Sequence, residues 1–370
     1  MPMIDSSNVT LQTDSVKVHW AGGAVSTLPN LWLRDNCNCD QCRFPQTAEK
    51  IFLVSSVPVD LKPVDVVLVS DQLQVTWPDG HESVYDADEL FALVSENAAT
   101  WTPWGADFQP HATDYQSFLT DDGAAADAID QFLGSGTCIL TGAPVVPGTL
   151  EELASRLGPV REVLFERIHN VEVYADGYNV AHTSLEVPPH NDFASYTWQP
   201  SVQALHMLAN DTPGGESVIV DGWSVLQAYR ADHPELFESL CTIPVPFRQF
   251  DEKEETYAVE PLVRCNTDGE IASLRFSNQL MQAMNPEKPG TGLFYKAYHE
   301  LCRRLTDPAA KVTFRLEAGE ILLVAGHRVL HGRNAFEPIA RRHLQDAYYE
   351  LDNVKNHLVV LRRKSEEQDG

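Results

Sequence analysis

The sequence predicts a mainly β protein with flanking helices: a small β-rich N-terminal domain followed by a larger β-sandwich or jelly roll. Three observations predict it. Residues 14–29 (DSVKVHWAGGAVSTLP) and 72–86 (QLQVTWPDGHESVYD) each read as a strand, a GG or DG turn and a second strand. From about residue 126, helices come first and many short strands with return turns follow. The regular strand–helix alternation of a parallel α/β sheet is missing.

Within residues 1–95, KIFLVSSV and PVDVVLV read as further strands, and LWLRDNC and ADELFALVSE follow the two hairpins as LxxL-type segments. Residues 96–125 hold no long periodic element and read as a linker wrapping the surface. The larger domain then spans 126–370. AAADAIDQFLGSG predicts a helix ending at Gly134 or Gly136, and TCILTGAPV predicts a buried strand. TLEELASRLGPV predicts a helix with Thr149 as N-cap and Glu152 at the capping-box position. VQALHMLA, ESVIVDG, VPFRQF, SLRFSN, KVTFRLEAGEILLVAG and QDAYYELD read as strands, broken by helices at 223–240 and 289–306. The tail RRKSEEQDG reads as frayed.

A chain of 370 residues is long enough for one large and one small domain, and 43% hydrophobic with 22% charged residues suits a globular enzyme. The net charge of −26 argues against nucleic acid as a partner, because phosphate binding needs a basic surface. An acidic shell tolerates or attracts cationic substrates, and it equally serves plain solubility. No apolar run approaches the roughly 20 residues needed to span a bilayer. The N-terminus also lacks a basic stretch followed by an apolar one. A cytoplasmic protein without a membrane partner is the expectation. Of seven cysteines, Cys37, Cys39 and Cys42 cluster and four are scattered, which fits a metal site plus buried thiols and not a disulfide framework.

Two constellations carry metal chemistry. Cys37, Cys39, Cys42 and His81 offer three thiolates and one imidazole, the donor set of closed tetrahedral structural zinc. His81 sits just after the Asp79-Gly80 turn, where a loop side chain can reach across. The second constellation begins with His190-Asn191-Asp192, after the breaker pair Pro188-Pro189. In an extended segment residues i and i+2 point to one side, so imidazole and carboxylate can share an ion. The pair gains meaning from GEILLVAGHRVLHGRNAF and RRHLQDAYYELD downstream. There His331 supplies a second imidazole, and Arg342 stands 11 residues later at the start of a strand. Two His and one carboxylate leave adjacent positions open on iron(II), and an arginine can pair bidentately with a co-substrate carboxylate. Asp192 is a carboxylate and not a small residue, so no vacancy is left for halide, which argues for hydroxylation over halogenation.

On these residues the chain resembles the γ-butyrobetaine dioxygenase and trimethyllysine dioxygenase family, within the taurine-dioxygenase-like group, over nearly its whole length. NLWLRDNCNCDQC with His81 resembles the family's N-terminal zinc domain, and YNVAHTSLEVPPHND its proximal iron pair. GGESVIVDGW and HRVLHGRNAF resemble the stretches that follow, the second carrying the distal histidine. RHLQDAYYELD resembles the segment that holds the 2-oxoglutarate arginine, which places Arg342, and Ser217 matches the assisting hydroxyl. The resemblance implies a double-stranded β-helix catalytic domain, a homodimer, Fe(II), 2-oxoglutarate as co-substrate and structural zinc. It further implies hydroxylation of an aliphatic carbon coupled to release of succinate and CO2, and a place in carnitine biosynthesis.

The family holds a trimethylammonium group in an aromatic cage, where ring faces attract the cation. The matching positions are Phe165, His169, His182, Phe193 and Tyr348. His182 stands where a tyrosine is usual, and His169 where a tryptophan stands. Two readings stay open. Either the cage is rebuilt with Phe165, Phe193 and Tyr348 helped by Tyr196 or Trp198, or the substrate is not a plain trimethylammonium acid. Asn179 and Asn278 match the amides that bind the substrate's acid group. Arg275 adds charge there if it faces inward, which would suit a phosphonate such as 2-(trimethylammonio)ethylphosphonate; otherwise it is a solvated strand residue. γ-Butyrobetaine is the default substrate, with the phosphonate or another amino-acid analogue as alternatives. A non-catalytic metal-binding module is disfavoured, since all three iron ligands and Arg342 are present.

Overall fold

Residues 4–94, 101–164, 166–173, 180–251 and 253–369 are described in a computed structural model. The chain divides into two compact units, Met1–Ala99 and Thr100–Gly370. Among the described residues no helix is long and apolar enough to cross a membrane.

The first unit contains two three-stranded antiparallel sheets, one of Ile4–Leu11, Ser15–Trp20 and Val25–Pro29, the other of Asp65–Val69, Gln72–Thr76 and Glu82–Asp86. Both expected hairpins form. Alternation puts Val16, Val18 and Trp20 of one sheet and Leu73, Val75 and Tyr85 of the other into one core. The Trp77 indole donates to Ser83 and the Tyr85 hydroxyl to the Leu33 carbonyl, so each buried polar tip has a partner. KIFLVSSV is not a strand. Its backbone turns back on the preceding loop, where the amides of Ile51 and Phe52 both donate to the Cys42 carbonyl. Only a short 3-10 turn, Val54–Ser56, follows.

The second unit is built on two sheets. The six-stranded sheet runs in the order His111–Asp114, Thr137–Thr141, Ile321–Ala325, Val202–Asn210, Arg342–Tyr349, His169–Val171. The four-stranded sheet runs Val187–His190, Val329–Arg333, Ser217–Asp221, Lys311–Phe314. Every pairing is antiparallel except that of His111–Asp114 with Thr137–Thr141. Leu205, Leu322 and Leu344 of the large sheet pack with Ile219, Val312 and Val329 of the small one. Helices Asp122–Ser135 and Leu351–Asp369 cover the other face of the large sheet, burying Ile129, Phe132 and Leu358 on Leu140, Leu323 and Ala347. Helices Gly222–Asp232, Pro234–Thr242 and Thr291–Leu305 cover the small one, with Leu226, Phe294 and Leu301 against Val220 and Leu330. A mainly β protein with flanking helices is what the sequence predicted.

Three local expectations change. The 96–125 stretch is not a bare linker: within it lie the strand His111–Asp114 and the helix Tyr115–Thr120, with Tyr115 and Phe118 buried. Elements of four and six residues are too short to show a period. Thr149 is not an N-cap. Its hydroxyl donates to the carbonyls of Pro144 and Val146, and Glu152 accepts the Tyr115 hydroxyl instead of closing a capping box. The C-terminal tail is helical to Asp369, because Val354, Leu358 and Leu361 recur at helical spacing on the core and Arg362 pairs with Asp130.

One buried ion pair ties the small sheet to its surroundings. Asp221 caps the helix Gly222–Asp232 through the amides of Trp223 and Ser224, and it receives both Nε and an Nη of Arg328. Arg328 also donates to the carbonyls of Thr102 and Gly134. Removing the guanidinium strands a fully buried carboxylate, which costs about 3–5 kcal/mol. Arg328→Ala is therefore expected to lower the melting temperature by several degrees in calorimetry, about 2–4 °C per kcal/mol for a unit of this size; an unchanged melting point would refute the role given to the pair.

Candidate functional site

His190 and His331 are cross-strand partners: they face each other in the antiparallel pairing of Val187–His190 with Val329–Arg333. Opposite residues of such a pair project to the same face, and their ring centroids lie 4.5 Å apart. The close approach depends on Gly332. A Cβ there would sit 2.6 Å from the Val187 carbonyl oxygen and 3.1 Å from the Pro189 nitrogen. Beyond the strand, Asn191 pins the turn. Its amide group donates to the Gly326 carbonyl, and its side-chain oxygen accepts the Phe276 amide. Asp192 is thereby returned to the side of His190, with Oδ1 3.1 Å from His190 Nε2. Phe193 follows in the left-handed region at φ 51°, a costly conformation for a bulky residue and one that concentrates at functional sites.

One candidate metal-holding group of the second unit is His190, Asp192 and His331, each offering an atom within 4.8 Å of the others. His190 Nδ1 donates to the Pro188 carbonyl at 2.9 Å, which leaves Nε2 as the free nitrogen. Burial would lower the His190 pKa, but pairing with Asp192 raises it. Burial and the charge of His190 push His331 down to about 4. Burial works to raise Asp192, yet the charges of His331 and His190 and the Tyr348 hydroxyl hold it well below the ordinary carboxylate range. Its Oδ2 accepts from the Tyr348 hydroxyl at 2.6 Å and from the Gln203 amide at 2.7 Å.

These groups open onto a cavity of about 200 Å³ between the two sheets. That is room for on the order of seven waters, so for small molecules and not for a polymer. Arg342, Leu344, Asp346 and Tyr348 alternate along one strand and all line it. Arg342 is buried, and its Nε has no hydrogen-bond partner. Burial, with the charge of Arg315 nearby, pushes its pKa down to about 10, so it remains a cation at neutral pH. Gly215 makes space for it: a Cβ there would lie 3.2 Å from Arg342 Nε, and both Gly214 and Gly215 have the positive φ that the GG pair of GGESVIVDG accommodates. Ser217, on the adjoining strand, lines the same cavity.

Of the residues expected at the substrate end, His169, His182, Phe193 and Tyr348 line the cavity. The Tyr348 ring stands edge-on to Phe193 at 5.1 Å and to His169 at 5.6 Å. Phe165 and Asn179 lie outside the described residues. Asn278 is exposed in a turn and accepts from the Tyr298 hydroxyl; its neighbours Ser277, Gln279 and Leu280 line the cavity in its stead. Trp198 is exposed, with the Arg264 guanidinium over its ring, and Tyr196 backs Phe193 from behind at 4.9 Å. Arg275 fits neither expectation. It is buried, and its guanidinium donates to the carbonyls of Ala194, Tyr196 and Thr197, so it braces the turn after Asp192 and supplies no charge to the cavity.

Sequence reasoning missed Gln203, Asp346, Arg333 and Gly332. Gln203 and Asp346 carried a usable signal, each being a polar residue on the inner face of a strand otherwise apolar or already assigned to the site. Arg333 donates to the carbonyls of Ala181, Thr183 and Leu185 and so ties the segment bearing His182 to the strand bearing His331.

In the first unit, Cys37, Cys39, Cys42 and His81 form another candidate metal-holding group. The three sulfurs lie 3.4, 3.7 and 3.6 Å from His81 Nε2. Arg34 donates to Cys42 Sγ at 3.1 Å. Burial pushes the Cys42 thiol up to about 11 against that donor, and burial and Arg34 push His81 down.

Two imidazoles and a single carboxylate on one face suit iron(II) with open positions, and a buried guanidinium without a partner suits a keto acid that carries a second carboxylate. The chemistry defined in this way is that of an iron(II)/2-oxoglutarate-dependent dioxygenase. Comparison with known proteins narrows the class. Residues 97–348 match the taurine catabolism dioxygenase TauD, TfdA family, and residues 8–91 match the N-terminal domain described as γ-butyrobetaine hydroxylase-like. The chain is 34% identical to a γ-butyrobetaine dioxygenase of Pseudomonas sp. (strain AK-1) over 359 residues, 94% of each chain. It is 27% identical to the γ-butyrobetaine dioxygenase of Homo sapiens over 95% of each chain, and 25% identical to a trimethyllysine dioxygenase of Meyerozyma guilliermondii over 94% of each. The chain belongs to the γ-butyrobetaine dioxygenase and trimethyllysine dioxygenase family.

Gly332→Ala tests the geometry directly. Forcing a methyl against the Val187 carbonyl must part the two strands that carry His190 and His331. The variant is expected to fold and to bind iron(II) at least about 10-fold more weakly, a loss of roughly 1.4 kcal/mol, in anaerobic titration calorimetry; wild-type affinity would show that the spacing is not set there.

Proposed function

We propose that this enzyme hydroxylates an aliphatic carbon of a small zwitterion that carries a quaternary ammonium group, with γ-butyrobetaine the first substrate to test. His190, Asp192 and His331 are the iron ligands in this reading. Neighbouring octahedral corners with bonds of about 2.1 Å lie about 3 Å apart, and His190 Nε2 and Asp192 Oδ1 are separated by 3.1 Å. Bound iron would supply the activation of O2 that couples decarboxylation of 2-oxoglutarate to hydroxylation. The protein's share is placement. Tyr348 and Gln203 both engage Asp192 Oδ2, so Oδ1 would be the carboxylate oxygen left to hold a metal. Arg342, assisted by Ser217, takes the distal carboxylate of 2-oxoglutarate. The unpartnered Nε of Arg342 carries this reading: a buried guanidinium nitrogen without an acceptor is costly, and an incoming carboxylate satisfies it. The relatives that share this chain's length act, by their names, on γ-butyrobetaine and trimethyllysine. Phe193, Tyr348 and His169 offer ring faces and edges to such a head group. The phosphonate alternative had its specific support in Arg275, which is committed to backbone carbonyls.

Several features belong to the same proposal. The two facing sheets are read as a double-stranded β-helix, and residues 1–95 as a structural zinc domain. Ideal Zn–S and Zn–N bonds of about 2.3 and 2.0 Å at a tetrahedral angle put sulfur and nitrogen about 3.6 Å apart, close to the 3.4–3.7 Å spacings around His81. A homodimer and a cytoplasmic location complete it.

A panel of betaines, trimethyllysine and aminophosphonates, scored by iron-dependent succinate formation, tests the substrate class; turnover of none of them would end it. Arg342→Met is expected to raise the KM for 2-oxoglutarate about 30-fold to 5,000-fold, the roughly 2–5 kcal/mol of losing one partner of a buried charge pair, with the KM of the organic substrate changed far less. Metal analysis should return about one tightly held zinc and one exchangeable iron per chain, and Cys39→Ser should release the zinc and leave the iron.

A further inference from the structure

The cavity holds a second guanidinium that no acid of the protein answers. Arg333 lines it together with Arg342 and is only 7% exposed. Its two Nη nitrogens donate to the carbonyls of Ala181, Thr183 and Leu185, at 3.3, 2.8 and 2.6 Å. Carbonyl oxygens satisfy those donors but bring no net charge. Its Nε is buried and has no hydrogen-bond partner. The charge that bears on it is that of Arg342, a like charge, and among the described residues no acid offsets it. Arg275, also bonded to carbonyls, differs on both counts: the charge of Glu260 acts on it, and it does not line this cavity. A guanidinium keeps its charge in any protein setting. Two of them buried in mutual repulsion, each with an unpaired Nε, call for an anion.

We propose that Arg333 is a second binding residue for the distal carboxylate of the co-substrate, working with Arg342 and Ser217. The inference rests on the 2-oxoglutarate site proposed above and adds to it how the anion is recognised. Three placements support it. Arg333 and Ser217 face each other in the antiparallel pairing of Val329–Arg333 with Ser217–Asp221, so both side chains start side by side on one wall of the cavity. Arg342 comes up to the same edge from the other sheet: a Cβ on Gly215, two residues before Ser217, would lie 3.2 Å from its Nε. Phe336 stands beside both guanidiniums, its ring centre 4.8 Å from that of Arg333 and 5.4 Å from that of Arg342. A carboxylate brings the one thing this group lacks, a negative charge, and its lone pairs suffice for donors on more than one side. Because the Nη nitrogens stay with the 181–185 segment, Arg333 offers one N–H and its charge, not a fork. Its effect is on selection. A keto acid with an uncharged tail leaves two buried cations facing each other, whereas a dianion settles both.

The test compares 2-oxoglutarate with 5-methyl-2-oxohexanoate, which keeps the keto acid and carries an isopropyl group in place of the distal carboxylate. Binding to the iron(II)-loaded protein is read by anaerobic titration calorimetry, directly for 2-oxoglutarate and by displacement for the analogue. Wild type is expected to prefer 2-oxoglutarate at least about 100-fold, and Arg333→Gln to cut that preference about 10-fold or more. The affinity for the analogue should meanwhile stay within about 3-fold or tighten, because one stranded cation has gone. Arg333→Lys, which keeps the charge, is expected to hold the preference within about 3-fold of wild type. Arg333→Met is the second neutral variant should Arg333→Gln not fold. An unchanged preference in the neutral variants, or equal losses for both ligands, would overturn the inference, since a mere brace for the 181–185 segment does not tell a carboxylate from an isopropyl group. If Arg342→Met binds 2-oxoglutarate as wild type does, the site reading itself fails, and the inference falls with it.

Discussion

The site depends first on one backbone contact, the pairing of Val187–His190 against Val329–Arg333 with His190 opposite His331. Everything around it serves to keep that register. Gly332 lets the strands touch, Arg333 binds the preceding segment through three carbonyls, and Asn191 and Arg275 lock the turn that returns Asp192 to the same face. A shift of one residue would send His331 to the opposite side of its strand. Metal binding is in this sense a property of sheet register before it is a property of side chains.

The second constraint is electrostatic. Within one small cavity the fold buries two guanidiniums, two carboxylates and several imidazoles. Most of these charges have protein partners: Asp192 has His190, Tyr348 and Gln203, and Asp346 has Gln203 and Tyr348 on one oxygen. Among the atoms left over are Arg342 Nε and Arg333 Nε, both on residues that line the cavity. A protein does not gain stability from such atoms. They are tolerated where a ligand completes them.

Much of this was legible in the sequence, and the limits have physical causes. His190, Asp192, His331 and Arg342 could be singled out because metal ligands and carboxylate clamps need particular residue types in a particular order. The two N-terminal hairpins could be read because GG and DG turns need glycine. The strand and helix within 111–120 were too short to show a period, and the strand-like KIFLVSSV forms only an isolated bridge, Lys50 with Arg43. Asn278 lies in a turn, where no periodicity tells which side chain faces the cavity. Arg275 was weighed as either inward or solvated, and a third option, a cation spent on carbonyls, leaves no trace in composition. Asp346 was in plain view four residues after Arg342, and its place in the cavity emerged only with the face of the strand they share.

The strand Arg342–Tyr349 also has a consequence for how substrate length can change. It carries the guanidinium at its first residue and the ring of Tyr348 six residues later, roughly 20 Å of extended chain. Such a strand is a ruler with marks on every second residue. It cannot be lengthened by one residue without turning everything beyond the insertion to the other face, and two residues move that part by a whole mark. Longer or shorter substrates must therefore be accommodated by the segments opposite it, such as the stretch around His182 that Arg333 holds, while the ruler stays as it is.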